Sequence, residues 1–128
     1  ENVWLRYSAA MTCSAIGKEA ISLAEEVAAL IHDESLVVRI RATEFLGLTS
    51  KVNPQPLLAE IVNRTSDPVE AGEALNSIVY FRDCHQPAYP IDASTLKTNG
   101  DIITRRIDYL NGEPYRTNKL KKPARKKK

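Results

Sequence analysis

The chain has 128 residues, of which 43% are hydrophobic and 27% charged, and its formal net charge is +2. This length and composition fit one ordinary globular domain and exclude collagen, a coiled coil and a wholly disordered chain. No stretch approaches the ~18 apolar residues of a membrane-spanning helix, so no transmembrane segment is expected.

The net charge combines two unlike parts. Residues 116–128 hold eight of the 18 basic residues and none of the 16 acidic ones, so residues 1–115 carry a net charge of −6. Residues 113–128 are predicted to be a basic disordered tail, because like charges and few apolar positions leave nothing to bury. Such a tail can bind a polyanion by counterion release, but the acidic body opposes nucleic acid, which is not an expected partner.

Apolar residues at three- and four-residue steps predict helices along most of the chain. The first is predicted over Val3–Ile16, with Gly17 following as a left-handed C-cap. Its predicted apolar stripe consists of Leu5, Ala9, Thr12, Cys13 and Ile16. The later helices are predicted over residues 18–31, 36–48, 54–65, 68–82 and 101–110. Since no strand alternation occurs, the predicted fold class is all-α.

Capping chemistry marks the start of two of these helices. Asn53 and Asp67 each precede a proline, which fits the first helical turn. Glu70 is expected to reach back toward the amide of Asp67, as in a capping box. Residues 84–95 contain two prolines and little helical pattern, and they are predicted to cross the surface as a loop.

A 33-residue period relates the first, third and fifth predicted helices. The first match pairs Leu5, Arg6, Ala9 and Cys13 with Val38, Arg39, Ala42 and Leu46. The second match pairs Val38, Ala42, Phe45 and Leu46 with Ala71, Leu75, Ile78 and Val79. Stacked helix pairs bury apolar stripes that a single pair cannot. Because residues 33–42 resemble a HEAT-like repeat, we predict a HEAT-like α-α superhelix of about three helix pairs over residues 1–112. The alternative is an irregular helical bundle with accidental periodicity.

The sequence predicts no catalytic residue, cofactor or metal site. Its five glycines are isolated, so no phosphate-binding loop is present, and its two histidines lie far apart. Cys84 and His85 could be read as a nucleophilic pair, but adjacent side chains rarely face each other, and a helix end is the preferred interpretation. Residues 63–65 fit a glycosylation sequon, a pattern too short to be informative. The carboxylate pairs Glu25 with Glu26 and Glu70 with Glu73 are expected on exposed helix faces, where solvation explains them.

The candidate repeat-ladder or interaction residues are Trp4, Arg6, Tyr7, Arg39 and Arg41. An arginine at the repeat position of Arg6 and Arg39 usually holds neighbouring HEAT-like repeats through acidic residues in adjoining turns. The available acidic residues are Asp33, Glu34 and Asp67. The alternative is that the arginines form a ladder that binds an anionic ligand. Trp4 and Tyr7 are candidates for an exposed docking surface.

A more specific resemblance rests on four stretches. They are WLRYSAA at 4–10, VRIRATEFLG at 38–47, DPVEA at 67–71 with ALNSIVYFRD at 74–83, and RRIDYL at 105–110. Together they resemble the C-terminal helical-repeat region of bacterial arylsulfatase-type sulfatases, over about residues 3–112. The resemblance implies an accessory domain that packs on a sulfatase catalytic domain of the same parent chain, in a periplasmic or extracellular setting.

The catalytic motif of that family, Cys or Ser-x-Pro-x-Arg, is missing. Residues 84–87, CHQP, place the proline one position too late, and no Asp-Asp calcium pair occurs. No catalytic residue is therefore transferred, and this chain is not expected to be an enzyme. Two alternatives stay open: a free-standing protein-binding module that uses the concave face of the array, and polyanion binding through the tail.

Overall fold

The structure, a computed structural model, describes residues 2–97 and 107–112. It contains α1 (Val3–Ile16), α2 (Ala24–Ala28), α3 (Leu36–Leu48), α4 (Gln55–Arg64) and α5 (Pro68–Asp83). Three 3₁₀ segments cover Gly17–Leu23, Ala29–His32 and Ala93–Thr95, and residues 107–111 are helical. Because the described ranges hold helices and no strand, the predicted all-α class is confirmed. Residues 101–106 of the predicted last helix, and the predicted tail at 113–128, lie outside the described residues.

The first and third helices begin and end where the sequence predicts. Gly17 ends α1 with a positive φ of 72°, which suits glycine because it has no Cβ. The continuous helix predicted over residues 18–31 is wrong, since a 3₁₀ segment, the five-residue α2 and a second 3₁₀ segment replace it. None of these three pieces begins with a capping side chain, so nothing fixes the start of a longer α-helix.

Helix α3 is the centre of the fold. It packs on α1 and α2 on one side and on α4 and α5 on the other. Ala42, Phe45 and Leu46 join the first core, which is rich in small residues from α1 and α2. Ile40 joins the second core, which α4 and α5 dominate and to which residues 107–110 contribute. Helix α3 therefore lies between the helices that precede it in the chain and those that follow it.

The apolar stripe predicted on α1 is mostly exposed. Its predicted members were Leu5, Ala9, Thr12, Cys13 and Ile16. Of these, only Cys13 is buried, while Leu5 and Ile16 are 66% and 51% exposed. Ala10 takes the second buried position, because α1 turns Ala10 and Cys13 toward α3. The repeat-equivalent residues of α3 are buried because α1 and α2 cover them.

The start of α5 departs from the predicted capping box. Asp67 caps the helix as expected, with its Oδ1 accepting from Val69 N at 2.8 Å. Glu70 does not reach the amide of Asp67. The hydroxyl of Thr65 lies between them, since it accepts from Asp67 N at 3.0 Å and donates to Glu70 Oε2 at 2.7 Å. Thr65, two residues before the cap, therefore completes the motif.

Residues 84–97 return along α4 as an irregular segment, which confirms the predicted loop apart from the 3₁₀ turn at Ala93–Thr95. The buried side-chain amide of Gln55 donates to Tyr89 O at 2.9 Å. Farther along α4, Asn63 Nδ2 donates to Thr95 O at 3.1 Å, and its Oδ1 accepts from Lys97 N at 2.7 Å. The oxygen and the nitrogen of the Asn63 side-chain amide are thus both hydrogen-bonded to the backbone of residues 95–97.

Arg82 attaches residues 107–112 to the end of α5. Its guanidinium forms a fork with Asp83, with N–O distances of 2.7 and 3.0 Å, and also donates to Leu110 O. Its Cζ lies 5.9 Å from the centre of the Tyr109 ring. Across the described ranges, no helix combines the length and apolar character needed to cross a bilayer.

Candidate functional site

A groove crosses the face on which α1, α3 and α5 lie side by side. One part has a volume of about 410 Å³ and is lined by residues that include Ser14, Leu48 and Tyr80. A second part of about 310 Å³ is lined by Arg41, Glu44, Glu73, Asn76 and Ser77. Glu44 lines both hollows, and the surface that the two hollows form across the three helices is called the groove below.

Hydrogen bonds to Glu44 connect all three helices at the floor of the groove. Arg41 donates to both Glu44 carboxylate oxygens, at 2.9 and 3.1 Å. Ser14 of α1 donates to Glu44 at 3.3 Å, and Ser77 of α5 donates to it as well. Arg41 also pairs with Glu73 of α5 at 3.0 Å. The Glu44 carboxylate is therefore already hydrogen-bonded before any ligand arrives.

The surroundings of Arg41 stabilise its positive charge. Burial alone would lower the pKa of Arg41, but the charge of Glu44, hydrogen bonds to Tyr7 and Glu44, and the charge of Glu73 together raise it. Arg41 therefore stays ionised. With two carboxylates around one guanidinium, the groove floor has a formal charge of −1.

Aromatic side chains flank the groove at both ends. The Tyr7 ring centre lies 5.8 Å from Arg41 Cζ, and Trp4 meets Tyr7 edge-to-face with ring centres 6.2 Å apart. Trp4 is 68% exposed, and Tyr80 is 43% exposed at the other end. Of the sequence-predicted candidates, Arg41 lines the groove, Tyr7 lies beside Arg41, and Trp4 packs on Tyr7.

The other two candidates, Arg6 and Arg39, meet at a turn outside the groove. Arg6 forms a fork with the Asp33 carboxylate, with N–O distances of 2.7 and 3.3 Å. Arg39 donates to the backbone carbonyl of Asp33. Asp67, the other acidic residue available to a ladder, caps α5 instead. Arg6 and Arg39 thus hold the turn that joins the first helices to α3.

The same contacts lower the pKa of Asp33. The hydrogen bond from Arg6 has the largest effect, and it outweighs burial, which would raise the pKa. The Ser35 amide and the charges of Arg6 and Arg39 add to the lowering. Because the Asp33 side chain is only 8% exposed, these partners replace most of its hydration.

Sequence reasoning missed four residues of the groove floor: Ser14, Glu44, Glu73 and Ser77. Glu73 was predicted to be a solvated surface carboxylate, but its side chain is only one-third exposed and pairs with Arg41. The signal was present in the 33-residue spacing, which separates Glu44 from Ser77. Applying the period to polar as well as apolar positions would have found this contact.

Cys84 and His85 lie in different environments. Cys84 is exposed, while His85 is buried and stacks on Tyr89 with ring centres 5.5 Å apart. The His85 Nδ1 lies 2.8 Å from Pro87 O. Within the described part of the chain, no group of three or more His, Cys, Asp or Glu side chains could hold a metal ion.

The sequence matches no protein-family model, no curated protein and no solved structure. The resemblance to the sulfatase helical region therefore rests on its quoted residues alone. The function must be inferred from the groove, its charge and the exposed surfaces beside it.

Proposed function

We propose that this chain is a non-catalytic helical module that binds a protein partner along the groove of α1, α3 and α5. The main support is the aromatic anchor at one end, where exposed Trp4 packs on Tyr7 and Tyr7 lies on Arg41. Tryptophan, tyrosine and arginine are the residues most enriched among the energetic hot spots of protein interfaces. Tyr80 supplies a second exposed aromatic side chain at the opposite end.

The chemistry of the groove favours a polypeptide ligand. The donors on Glu44 already satisfy its carboxylate, so this carboxylate does not need a small polar ligand as a partner. The formal charge of −1 opposes phosphate-rich ligands, including nucleic acid. An extended or helical segment with apolar and basic side chains would complement both the rims and the floor.

We further propose that the helices form a HEAT-like array. In this arrangement α1 pairs with residues 17–32, α3 with α4, and α5 with residues 107–111. The central position of α3 supports it, because α3 packs on elements before and after it in the chain. The Glu44–Ser77 bond also supports it, since it joins two helices at the spacing of the repeat.

The resemblance to arylsulfatase-type proteins suggests one particular partner, a sulfatase catalytic domain in the same parent chain. That domain would contact the end of the groove at Val3, Trp4 and Tyr7, so that this chain acts as its accessory region. A free-standing module would use the same groove for a separate protein. In both cases the isolated chain is expected to leave a chromogenic aryl sulfate unhydrolysed, and measured hydrolysis would contradict the proposal.

Site-specific photo-cross-linking in native cell extract tests partner binding. A benzophenone amino acid replaces Asn76 or Tyr80, which line the groove. The matched control replaces Val69, which lies on the same helix and is 67% exposed. We expect both groove probes, and not the control, to capture the same protein. Equal capture at Val69, or no common protein at the two groove positions, would contradict the proposal.

A further inference from the structure

A small cavity lies between α3 and α4, and none of its lining residues lines the groove. The polar part of its lining consists of His32, Arg39, Thr43, Glu60 and Arg64, and the remaining lining residues are aliphatic. The cavity has a volume of about 30 Å³, close to the space that one water molecule takes up in the liquid. It therefore has room for one small ion or one water molecule, and not for phosphate or a larger ligand.

Thr43 is the buried polar residue of this cavity. It is only 1% exposed, and its hydroxyl forms no hydrogen bond with a described residue. A buried hydroxyl without a partner costs free energy, because it has lost its hydrogen bonds to water. Since the large majority of buried polar side-chain atoms in proteins have a partner, this unused donor indicates a ligand.

Positive charge is in excess around the cavity. Arg39 donates through Nε to the backbone carbonyl of Asp33, and it forms no salt bridge with a described residue. The Asp33 carboxylate is already paired with Arg6. Arg64 pairs with Glu60 at 3.1 Å. The two guanidinium groups and one carboxylate of the lining therefore have a formal charge of +1, with histidine counted as neutral.

We infer that this cavity binds a single anion of halide size, such as chloride. The Thr43 hydroxyl donates a hydrogen bond to the anion, and the anion compensates the charge of Arg39. A water molecule fills the same space but leaves that charge uncompensated, and the two guanidinium groups repel a cation. The inference is independent of the proposed function, because the cavity and the groove share no residue.

Titration of the full chain with sodium chloride tests the site. Sodium chloride replaces sodium gluconate at constant ionic strength, since gluconate is too large for the cavity. We expect the protein to broaden the chlorine NMR signal. We also expect the melting temperature to rise by a few degrees up to about 0.3 M chloride, because a ligand that binds only the folded chain stabilises it. A linewidth and a melting temperature that do not respond to chloride would overturn the inference and leave water as the occupant.

Thr43→Val tests the hydroxyl, because valine keeps the side-chain shape and removes the donor. In gluconate this variant should be at least as stable as wild type, since the hydroxyl has no described partner. It should lose most of the chloride response. Thr12→Val is the matched control, because Thr12 is an exposed threonine of α1 and should leave the response intact. A wild-type response in Thr43→Val, or an equal loss in Thr12→Val, would overturn the inference.

Arg39→Gln tests the charge. This change also removes the bond to the Asp33 carbonyl, so the measurement is the chlorine linewidth of the folded variant rather than its stability. We expect most of the broadening to disappear. Lys51→Gln removes an exposed positive charge outside the cavity and should keep the wild-type linewidth. Unchanged broadening in Arg39→Gln would overturn the inference, as would an equal loss in Lys51→Gln. If Arg39→Gln does not fold, the Thr43→Val titration decides.

Discussion

Ser77 of α5 donates a hydrogen bond to Glu44 of α3, 33 residues earlier in the chain. The same carboxylate accepts from Ser14 of α1 and from Arg41 on its own helix. A single residue on the central helix thus ties together the three helices that form the groove. The groove floor is a structural element as well as part of the proposed binding surface.

Replacing Glu44 should destabilise the fold. Glu44→Gln weakens the bonds from Arg41 and Ser77, and Glu73 is then the one ionic partner left to the guanidinium among the described residues. We expect a loss of about 1–3 kcal/mol in the free energy of unfolding, measured in urea. Glu60→Gln breaks an exposed pair on α4 and should cost less than about 1 kcal/mol. Equal losses in the two variants would contradict the role assigned to Glu44.

Two glycine substitutions should have opposite effects. A Cβ on Gly47 would lie 2.7 Å from Phe81 Cζ and 2.8 Å from Pro54 Cγ, both in rigid rings. Gly47→Ala should therefore destabilise the protein, with overpacking costing about 1–3 kcal/mol before the gain in helix propensity of about 1 kcal/mol. Gly72→Ala meets no atom within 4 Å and should stabilise α5 by about 0.5–1 kcal/mol. Thermal unfolding of both variants measures the difference, and a stabilised Gly47→Ala would show that the α3–α5 contact is looser than described.

Asp33 should make stability depend on pH in the acid range. Its pKa is lower in the folded chain than in the unfolded one, so its contribution is fully present above the unfolded pKa of about 3.9. The contribution is lost as the pH falls through the folded pKa. Asp33→Asn should therefore be less stable than wild type at pH 7, and the difference should shrink below about pH 3.9. A difference that stays constant from neutral to acid pH would contradict the Arg6–Asp33 interaction.

Removing the side-chain amide of Asn63 should loosen the returning segment. Asn63→Ala deletes both bonds to the backbone around residues 95–97, which should cost about 1 kcal/mol and speed hydrogen exchange at the Lys97 amide. Asn76→Ala is the matched control, because Asn76 is also an exposed helical asparagine but lies on α5. Unchanged exchange at Lys97 in Asn63→Ala would exclude this attachment.

The sequence predicted the elements that local chemistry determines. Asp67 followed by proline, and the periodic apolar residues of α3, are strong signals that do not depend on distant contacts. The segment after Gly17 was mispredicted because its apolar residues fit an α-helix, whereas its start has no cap and its packing is shallow. Leu5 and Ile16 were predicted to be buried because periodicity reveals an apolar stripe but not whether a neighbour covers it.

The candidate site was only partly predictable. Aromatic and arginine residues near the chain start drew attention to Trp4, Tyr7 and Arg41, which the structure brings together. Glu73 was missed because a single carboxylate on a helix gives no sign of a partner 32 residues away. The repeat pattern predicted that Arg6 and Arg39 each hold neighbouring repeats at equivalent positions. In the structure both side chains instead contact one turn, at Asp33.

Binding to the groove can be measured most directly with the protein captured by the Tyr80 probe, titrated against three forms of the chain. Trp4→Ala removes the aromatic anchor and should weaken binding at least about tenfold, as expected of an interface hot spot. Val69→Ala removes a similarly exposed apolar side chain away from the groove and should bind like wild type. Wild-type affinity in Trp4→Ala, or equal weakening in both variants, would contradict the proposal that this groove is the binding surface.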